Sequence, residues 1–390
     1  MRHSLCSAVV IALCAMGCFP TGPSFRDSAQ IRGVRALAVT LSPASGSPGG
    51  TVELELELFD GRAHPGAPEY WGPVDAGVGL IGRSDEQAIS IAWLGGCHNP
   101  PGDSHFGCYP MLNEVARQLP SPLPVEPAAV PAEAAGFLGV GRRFAAMIPA
   151  NILEGRQRED SAPAFGVSFA FFAACRGRLV PAPDASDGVP LGCQSDAGEP
   201  ITDATEFLRG FTTIYTYAGG VNEAPVVSRK LAAGIELADV ACETDADCSE
   251  LASGPFGSVC ASRWAPLLGT APLPPAKRCL PSVPRCRGPE CEAYELLAEV
   301  LPESVEKDTA VTLVEGAAPD EVIWVKYYAI AGLGRTEALI NERATGFNEN
   351  YATRWRPPPV ATETPFPVWA VIQDNRGAST VARWDFVVSD

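Results

Sequence analysis

The sequence predicts an all-β protein: two immunoglobulin-like β-sandwich modules joined by a disulfide-rich, largely irregular connector. Three observations carry this expectation. Short runs of alternating or wholly apolar residues recur along the chain, separated by turn residues. Glycine and proline are abundant, at 38 and 37 of 390 residues, which favours many turns over long helices. Six of the 13 cysteines lie between Cys242 and Cys291, in a stretch with little periodicity.

The chain opens with Met1-Arg2-His3 and an apolar run from Leu5 to Met16. A run of about a dozen residues falls short of the roughly 20 needed to cross a bilayer and fits the apolar region of an export signal. It ends in Ala15-Met16-Gly17-Cys18. That ending resembles a bacterial lipoprotein signal, in which small residues precede the cysteine that becomes the lipidated first residue. The resemblance implies a signal peptide over 1–17, a lipid on Cys18, a tether over 18–30 and the membrane as a partner. Phe19, rather than Asp, follows the cysteine, as in an outer-membrane address. Multiple acyl chains anchor firmly where one is marginal. No later run reaches 18 apolar residues, so no further membrane segment is expected.

Removing 1–17 takes away Arg2 and no acid, so the whole chain's −17 becomes −18 in the mature body. It also removes Cys6 and Cys14. Beyond Cys18 there remain Cys97, Cys108, Cys175, Cys193, Cys242, Cys248, Cys260, Cys279, Cys286 and Cys291. An even number in an oxidising compartment implies up to five disulfides.

The N-terminal module is expected over 31–235. Thr51 to Phe59 alternates strictly, as a strand with glutamates on its wet face does. Ile89, Ile91 and Trp93 mark a second strand. Leu119 to Ala135 is a Pro/Ala-rich loop unable to hold a ladder. Ala145 to Leu153 reads as a short helix. Ala164 to Ala174 is apolar and aromatic, a buried strand, and Phe211 to Tyr217 is another. Cys175 and Cys193 bracket a Pro/Asp/Gly-rich loop and are expected to close it with a disulfide. The connector, 236–292, cannot build a core and needs covalent staples. Its six cysteines allow 15 connectivities.

The C-terminal module, 293–390, has strand signals at Leu297–Leu301, Ala310–Val314, Val322–Ala331, Tyr351–Arg356, Pro367–Gln373 and Ser379–Val388, the spacing of a sandwich. Asp374-Asn375-Arg376-Gly377 is a hairpin turn. A faint repeat aligns Leu37-Ala38 and Thr51–Leu54 with Leu297-Ala298 and Ala310–Leu313. Each half leads to a strand carrying tryptophan, Trp93 and Trp324. The run Trp355-Arg356-Pro357-Pro358, then Val368 to Gly377, resembles the end of bacterial immunoglobulin-like repeats. Cys242 to Cys248, and the region of Trp93, Cys97 and Cys108, are similar to Cys-rich lipoproteins of the myxobacterial type. This resemblance implies a fold and an envelope address and brings no activity with it.

The chemistry-bearing patterns narrow the function classes. A balance of 29 basic against 46 acidic residues, with no basic stripe, speaks against a nucleic-acid partner. Cys97, His98, His105 and Cys108 are the richest cluster. Two thiols and two imidazoles make His98 and His105 candidate metal ligands, but the spacing matches no common zinc finger. A local disulfide is the expected state, with no metal and no cofactor. Asp245 and Asp247 invite a calcium reading, but Ser249 stands at the next ligand position and the required glycine is missing. Gly77 to Gly82 matches G-x-G-x-x-G in letters, without the strand and helix that a dinucleotide site needs. No nucleophile motif accompanies the mature chain's three histidines, His64, His98 and His105. Tyr70-Trp71 is a candidate sugar-stacking pair. The expectation is a non-catalytic envelope protein with a structural, adhesion or scaffolding role. An envelope protein or glycan is the expected partner, and the alternative is a binding module for a glycan or metal ion.

Overall fold

A computed structural model describes residues 29–61, 89–157, 163–183, 188–219, 222–237, 240–251, 253–262, 277–288, 291–308, 318–360 and 363–389. Cys18, the leader, His64, Tyr70-Trp71, the glycine run at 77–82 and the 310–314 strand signal lie outside these residues.

The first half runs β1 (Val34–Ser42), β2 (Thr51–Asp60), β3 (Ser90–His98), helix α1 (Tyr109–Ala116), β4 (Leu138–Val140), β5 (Arg143–Met147), β6 (Phe165–Cys175), β7 (Arg178–Pro181), β8 (Leu191–Gln194) and β9 (Phe207–Tyr217). Two antiparallel sheets form, β1-β2-β5 and β4-β3-β6-β9, with β7-β8 a separate hairpin. The alternation in β2 points Val52, Leu54, Leu56 and Leu58 at Ile91, Trp93, Phe172 and Ile214 of the second sheet. Trp93 is fully buried there. Its indole packs with Phe144 and Phe172 and donates from Nε1 to the Gly141 carbonyl at 2.9 Å.

The second sheet is covered on its other face as well. Leu94, Phe169, Phe171 and Ala173 pack beneath α1, Leu119, Leu123 and the β7-β8 hairpin. This explains why β6 is apolar without alternation: both its faces are buried. Ala145 to Leu153 is not a helix. Its first part is β5, with Phe144 and Ala146 inward and Arg143, Ala145 and Met147 outward, and the chain then turns.

The second half comprises β10 (Val227–Ala232), β11 (Ile235–Glu236), β12 (Gly257–Ser262), β13 (Lys277–Pro284), β14 (Tyr294–Val300), β15 (Ile323–Ala329), β16 (Glu337–Glu342), β17 (Gly346–Phe347), β18 (Thr353–Trp355), β19 (Thr364–Asp374) and β20 (Ser379–Ser389). A seven-stranded sheet, β12-β13-β20-β19-β15-β16-β17, faces a four-stranded sheet, β11-β10-β14-β18. Between them lie Tyr327, Trp355, Phe366 and Phe386, all fully buried. Trp324, equated with Trp93 by the faint repeat, is only half-buried, because it falls on the opposite face of β15 from Ile323, Val325 and Tyr327. The tryptophan deepest in this core is Trp355, stacked on Phe386 at 4.6 Å. The hairpin turn at Asp374–Gly377 forms as its residues imply, with Gly377 at φ +94°, a conformation L side chains rarely adopt.

Two segments lie elsewhere than their composition implied. β10, inside the 31–235 bounds expected for the first module, and β11, which straddles that boundary, belong to the second sandwich, where β10 pairs antiparallel with β14. The connector is also more ordered than expected. Its β12-β13 hairpin joins the large sheet through a parallel pairing of Ser282–Pro284 with Val387–Ser389.

The sandwiches meet along β1, β2 and the β19-β20 hairpin. Glu53, Glu55, Glu57 and Phe59 share one face of β2. Arg142 and Arg143 hold Glu55 and Glu57, while Phe59 is buried against Trp369 at 4.5 Å. Ile31, Leu37 and Phe59 are part of the second sandwich's core. Across the seam the Ile31 amide donates to Ala329, Ser379 donates to Val39, and Asn222 Nδ2 donates to Asp374.

Candidate functional site

The richest group of site residues is the Cys97–Cys108 loop, which leaves β3 at a bulge. The register slips between Leu94 and Cys97, where Gly96 adopts φ +85°. Asn99 then clamps the loop to the sheet. Its Oδ1 accepts from the Val167 amide at 2.9 Å, and its Nδ2 donates to the Ile152 carbonyl at 2.7 Å. Further along, Asp103 pairs with Arg156, whose Nε also donates to the Phe165 carbonyl at 3.0 Å. Asn99 and Asp103 both hold positive φ, at 45° and 50°. Such strain persists where the surroundings over-determine the backbone.

A disulfide between Cys97 and Cys108, with Cα atoms 5.7 Å apart, closes the loop directly before α1. Both sulfurs are therefore committed to each other and offer no thiolate for zinc. His98 and His105 are in different situations. His98 Nδ1 lies 2.8 Å from Ser168 Oγ, and partial burial holds its pKa below the ordinary histidine value, which favours the uncharged ring. His105 lies over the aromatic face of the module. Its centroid is 4.0 Å from both Phe106 and Phe211, the latter nearly parallel at 21°. Tyr109 and Phe169 approach its ring edgewise at 6.1 and 6.3 Å. The rings at the two ends of this stack are open to water: Phe106 is 65% and Phe211 42% exposed.

The other cysteines pair as Cys175–Cys193, Cys242–Cys260, Cys248–Cys279 and Cys286–Cys291. Cys260 and Cys279 face each other across the β12-β13 ladder. Their partners bring Cys242 and the short helical turn Asp245–Leu251 onto that hairpin. The Sγ atoms of Cys242, Cys248 and Cys260 lie within 4.8 Å of one another, but as neighbouring disulfides. The aspartates here are turn residues. Asp247 accepts from the amides of Thr244 and Glu243, which lower its pKa, and Asp245 accepts from the Cys260 amide.

Sequence reading singled out His105 but missed Phe106 and Phe211 as its partners. Phe211 was visible only as one residue of a strand-like run, FTTIYTY. It meets the loop because β6 pairs Phe171 with Phe211, a contact no local pattern encodes.

No family model matches the chain, and no curated protein matches it. Among solved structures, the C-terminal domain of the Streptococcus pyogenes antigen I/II-family protein AspA aligns over 92% of this chain and 100% of that one, with 8% identity and a TM-score of 0.16. That likeness is too slight to carry an argument. No helix among the described residues is long and apolar enough to cross a membrane.

Proposed function

We propose that this chain is a lipid-anchored protein of the outer membrane with a non-catalytic role in adhesion, scaffolding or envelope structure. The observation that carries the reading is the disulfide set. All ten cysteines beyond Cys18 are joined in five bonds, spread over both sandwiches and the hairpin between them. Such a body suits an oxidising, extracytoplasmic space. The leader ending at Cys18 and the resemblance to Cys-rich lipoproteins support the same address. The loop histidines fit a structural use, since one ring is half-buried against Ser168 and the other is stacked between phenyl groups.

The test is Cys18→Ser in a host that processes lipoproteins. The wild type is expected in the membrane fraction with an acylated N-terminus, and the variant in the soluble extracytoplasmic fraction. Membrane association unchanged by the substitution would defeat the anchor. The second reading, a ligand-binding module, is favoured by one feature, the exposed aromatic stack around His105.

A further inference from the structure

We infer that five arginines close to Ala29 form a strip that seats the body on the anionic phospholipid headgroups of the membrane. This rests on the anchor proposed above, which brings the membrane within reach, but the strip is tested without the anchor.

The strip is assembled from three segments far apart in sequence. Residues 29–36, 329–336 and 350–358 hold Arg32, Arg35, Arg335, Arg354 and Arg356 and no acid, in a chain with 46 acidic residues. Backbone hydrogen bonds join the segments. The Ile31 amide donates to the Ala329 carbonyl at 3.0 Å, and the Ala329 amide to the Ala29 carbonyl at 3.3 Å. Beyond β15 the chain crosses to β18, the edge strand of the other sheet. There the Arg356 amide donates to the Gly332 carbonyl and the Gly334 amide to the Arg354 carbonyl, both at 2.8 Å. The N-terminal segment, the loop after β15 and β18 thus form one rim of the second sandwich. Along the chain these arginines make no stripe; the fold creates it.

Arg32, Arg335, Arg354 and Arg356 are exposed, and Arg35 is half-buried. None of the five makes an ion pair among the described residues. Arg32 donates to the Gln30 side chain, Arg335 donates to the Asn350 carbonyl at 2.7 Å, and Arg35 lies over the Tyr328 ring. Arginines elsewhere on the surface are taken up by acids, as Arg117 is by Glu114, Arg143 by Glu55 and Arg229 by Glu299. Acids stand only at the borders of the strip. Glu337 and Glu349 adjoin two of its segments, and Glu295 lies opposite Arg354 in the β14-β18 register. A guanidinium with no carboxylate partner keeps its fork of donors for another oxyanion, and phosphate fits that fork.

The position of the strip selects the partner. Cys18 lies eleven residues before Ala29, a span of at most about 40 Å. A lipid on Cys18 therefore keeps this rim next to the headgroups, where basic residues beside a membrane attract anionic lipid. The negative charge of the whole body does not cancel that attraction. At about 0.1 M salt the screening length is about 10 Å, so a surface touching the strip feels its arginines far more than acids on distant faces.

The experiment is co-sedimentation of the full chain, disulfides intact, with vesicles at low salt. One set mixes phosphatidylglycerol and phosphatidylcholine in equal parts, and the other is phosphatidylcholine alone. Every sample carries Cys18→Ser, so any contribution of the leader cancels. The chain is expected to bind the anionic vesicles and not the neutral ones, and to come off as salt rises to the physiological range. Such binding is too weak to hold the Cys18→Ser variant in the membrane fraction of cells. Arg32→Gln, Arg354→Gln and Arg356→Gln together should weaken it about fivefold for each charge removed. The same change at Arg117, Arg143 and Arg229 alters net charge equally and should leave it near the starting value. Near-ultraviolet circular dichroism checks the fold, and should the triple variant misfold, Arg354→Gln alone decides, with about a fivefold loss expected. Equal binding to both vesicle types, or equal losses in the two triple variants, overturns the strip. Stronger retention on an immobilised uronic-acid polymer than on the anionic vesicles would overturn the membrane as its occupant. None of these results bears on the Cys18→Ser fractionation, so failure of the strip and failure of the anchor are told apart.

Discussion

Asp374 lies at the seam between the sandwiches with almost no exposure to water. Burial raises its pKa above the ordinary carboxylate value, against the opposing pull of the Ala378 amide, the Asn222 side chain and Arg376. Glu321, paired with Arg376 and fully buried, is raised by burial as well. A carboxyl raised on folding favours the folded state most when it is protonated. That contribution is fullest below the unfolded carboxylate pKa and fades as pH climbs through the folded one. Asn222 is ready for the change. Its Nδ2 donates to the charged Asp374, while its Oδ1 is buried without a hydrogen-bond partner among the described residues. A turn of that amide lets Oδ1 accept from a protonated Asp374. Asp374→Asn fixes the neutral form. The stability of the wild type relative to this variant should therefore increase as pH falls through the raised folded pKa toward the ordinary carboxylate value, by at most about 1.4 kcal/mol per pH unit, one proton's worth. Urea unfolding at several pH values measures it. A difference that narrows on acidification would mean the carboxylate is held charged.

At the scale of elements, the covalent closures fix what short strands cannot. Replacing both Cys97 and Cys108 by serine should cost about 2–4 kcal/mol of stability, read from the urea midpoint. An unchanged midpoint would mean that Asn99 and Arg156 hold the loop unaided. How much of this was legible follows from what each residue touches. β2 was readable because its inward leucines and valine alternate with glutamates, and β6 because a fully apolar run bounded by turns implies burial. The Asp374–Gly377 turn was readable from its own residues. β5 was misread because Ala145 and Met147 are apolar on the wet side, which hides a period of two behind a helix-like composition. The connector hairpin was hidden for a related reason. Its inward residues are Cys279, Leu280 and Val283, scattered among prolines and a lysine, and its partner strand β20 lies about a hundred residues away. Of the candidate site, the loop and its closing cysteines were legible in the sequence. The meeting of His105 with Phe211 was not, because a long-range strand register determines it.

The whole molecule is joined by the face of β2 that carries three glutamates and then a phenylalanine. Phe59 ends that row and crosses into the second core, beside Ile31 and Leu37. The two sandwiches should therefore unfold together in a single calorimetric transition. Phe59→Ala, which empties a fully buried site, should cost about 3–5 kcal/mol and split the melt into two transitions. A single unsplit transition in the variant would show that the polar contacts at Asn222 and Ser379 suffice to couple the halves. The same seam has a mechanical meaning. Ala29 to Ile31 lie beside Ala329 of β15, bridged by a parallel pairing and two amide hydrogen bonds. A pull applied to the chain ahead of Ala29 is therefore delivered first to the middle of the C-terminal sheet and not to the module that follows in sequence.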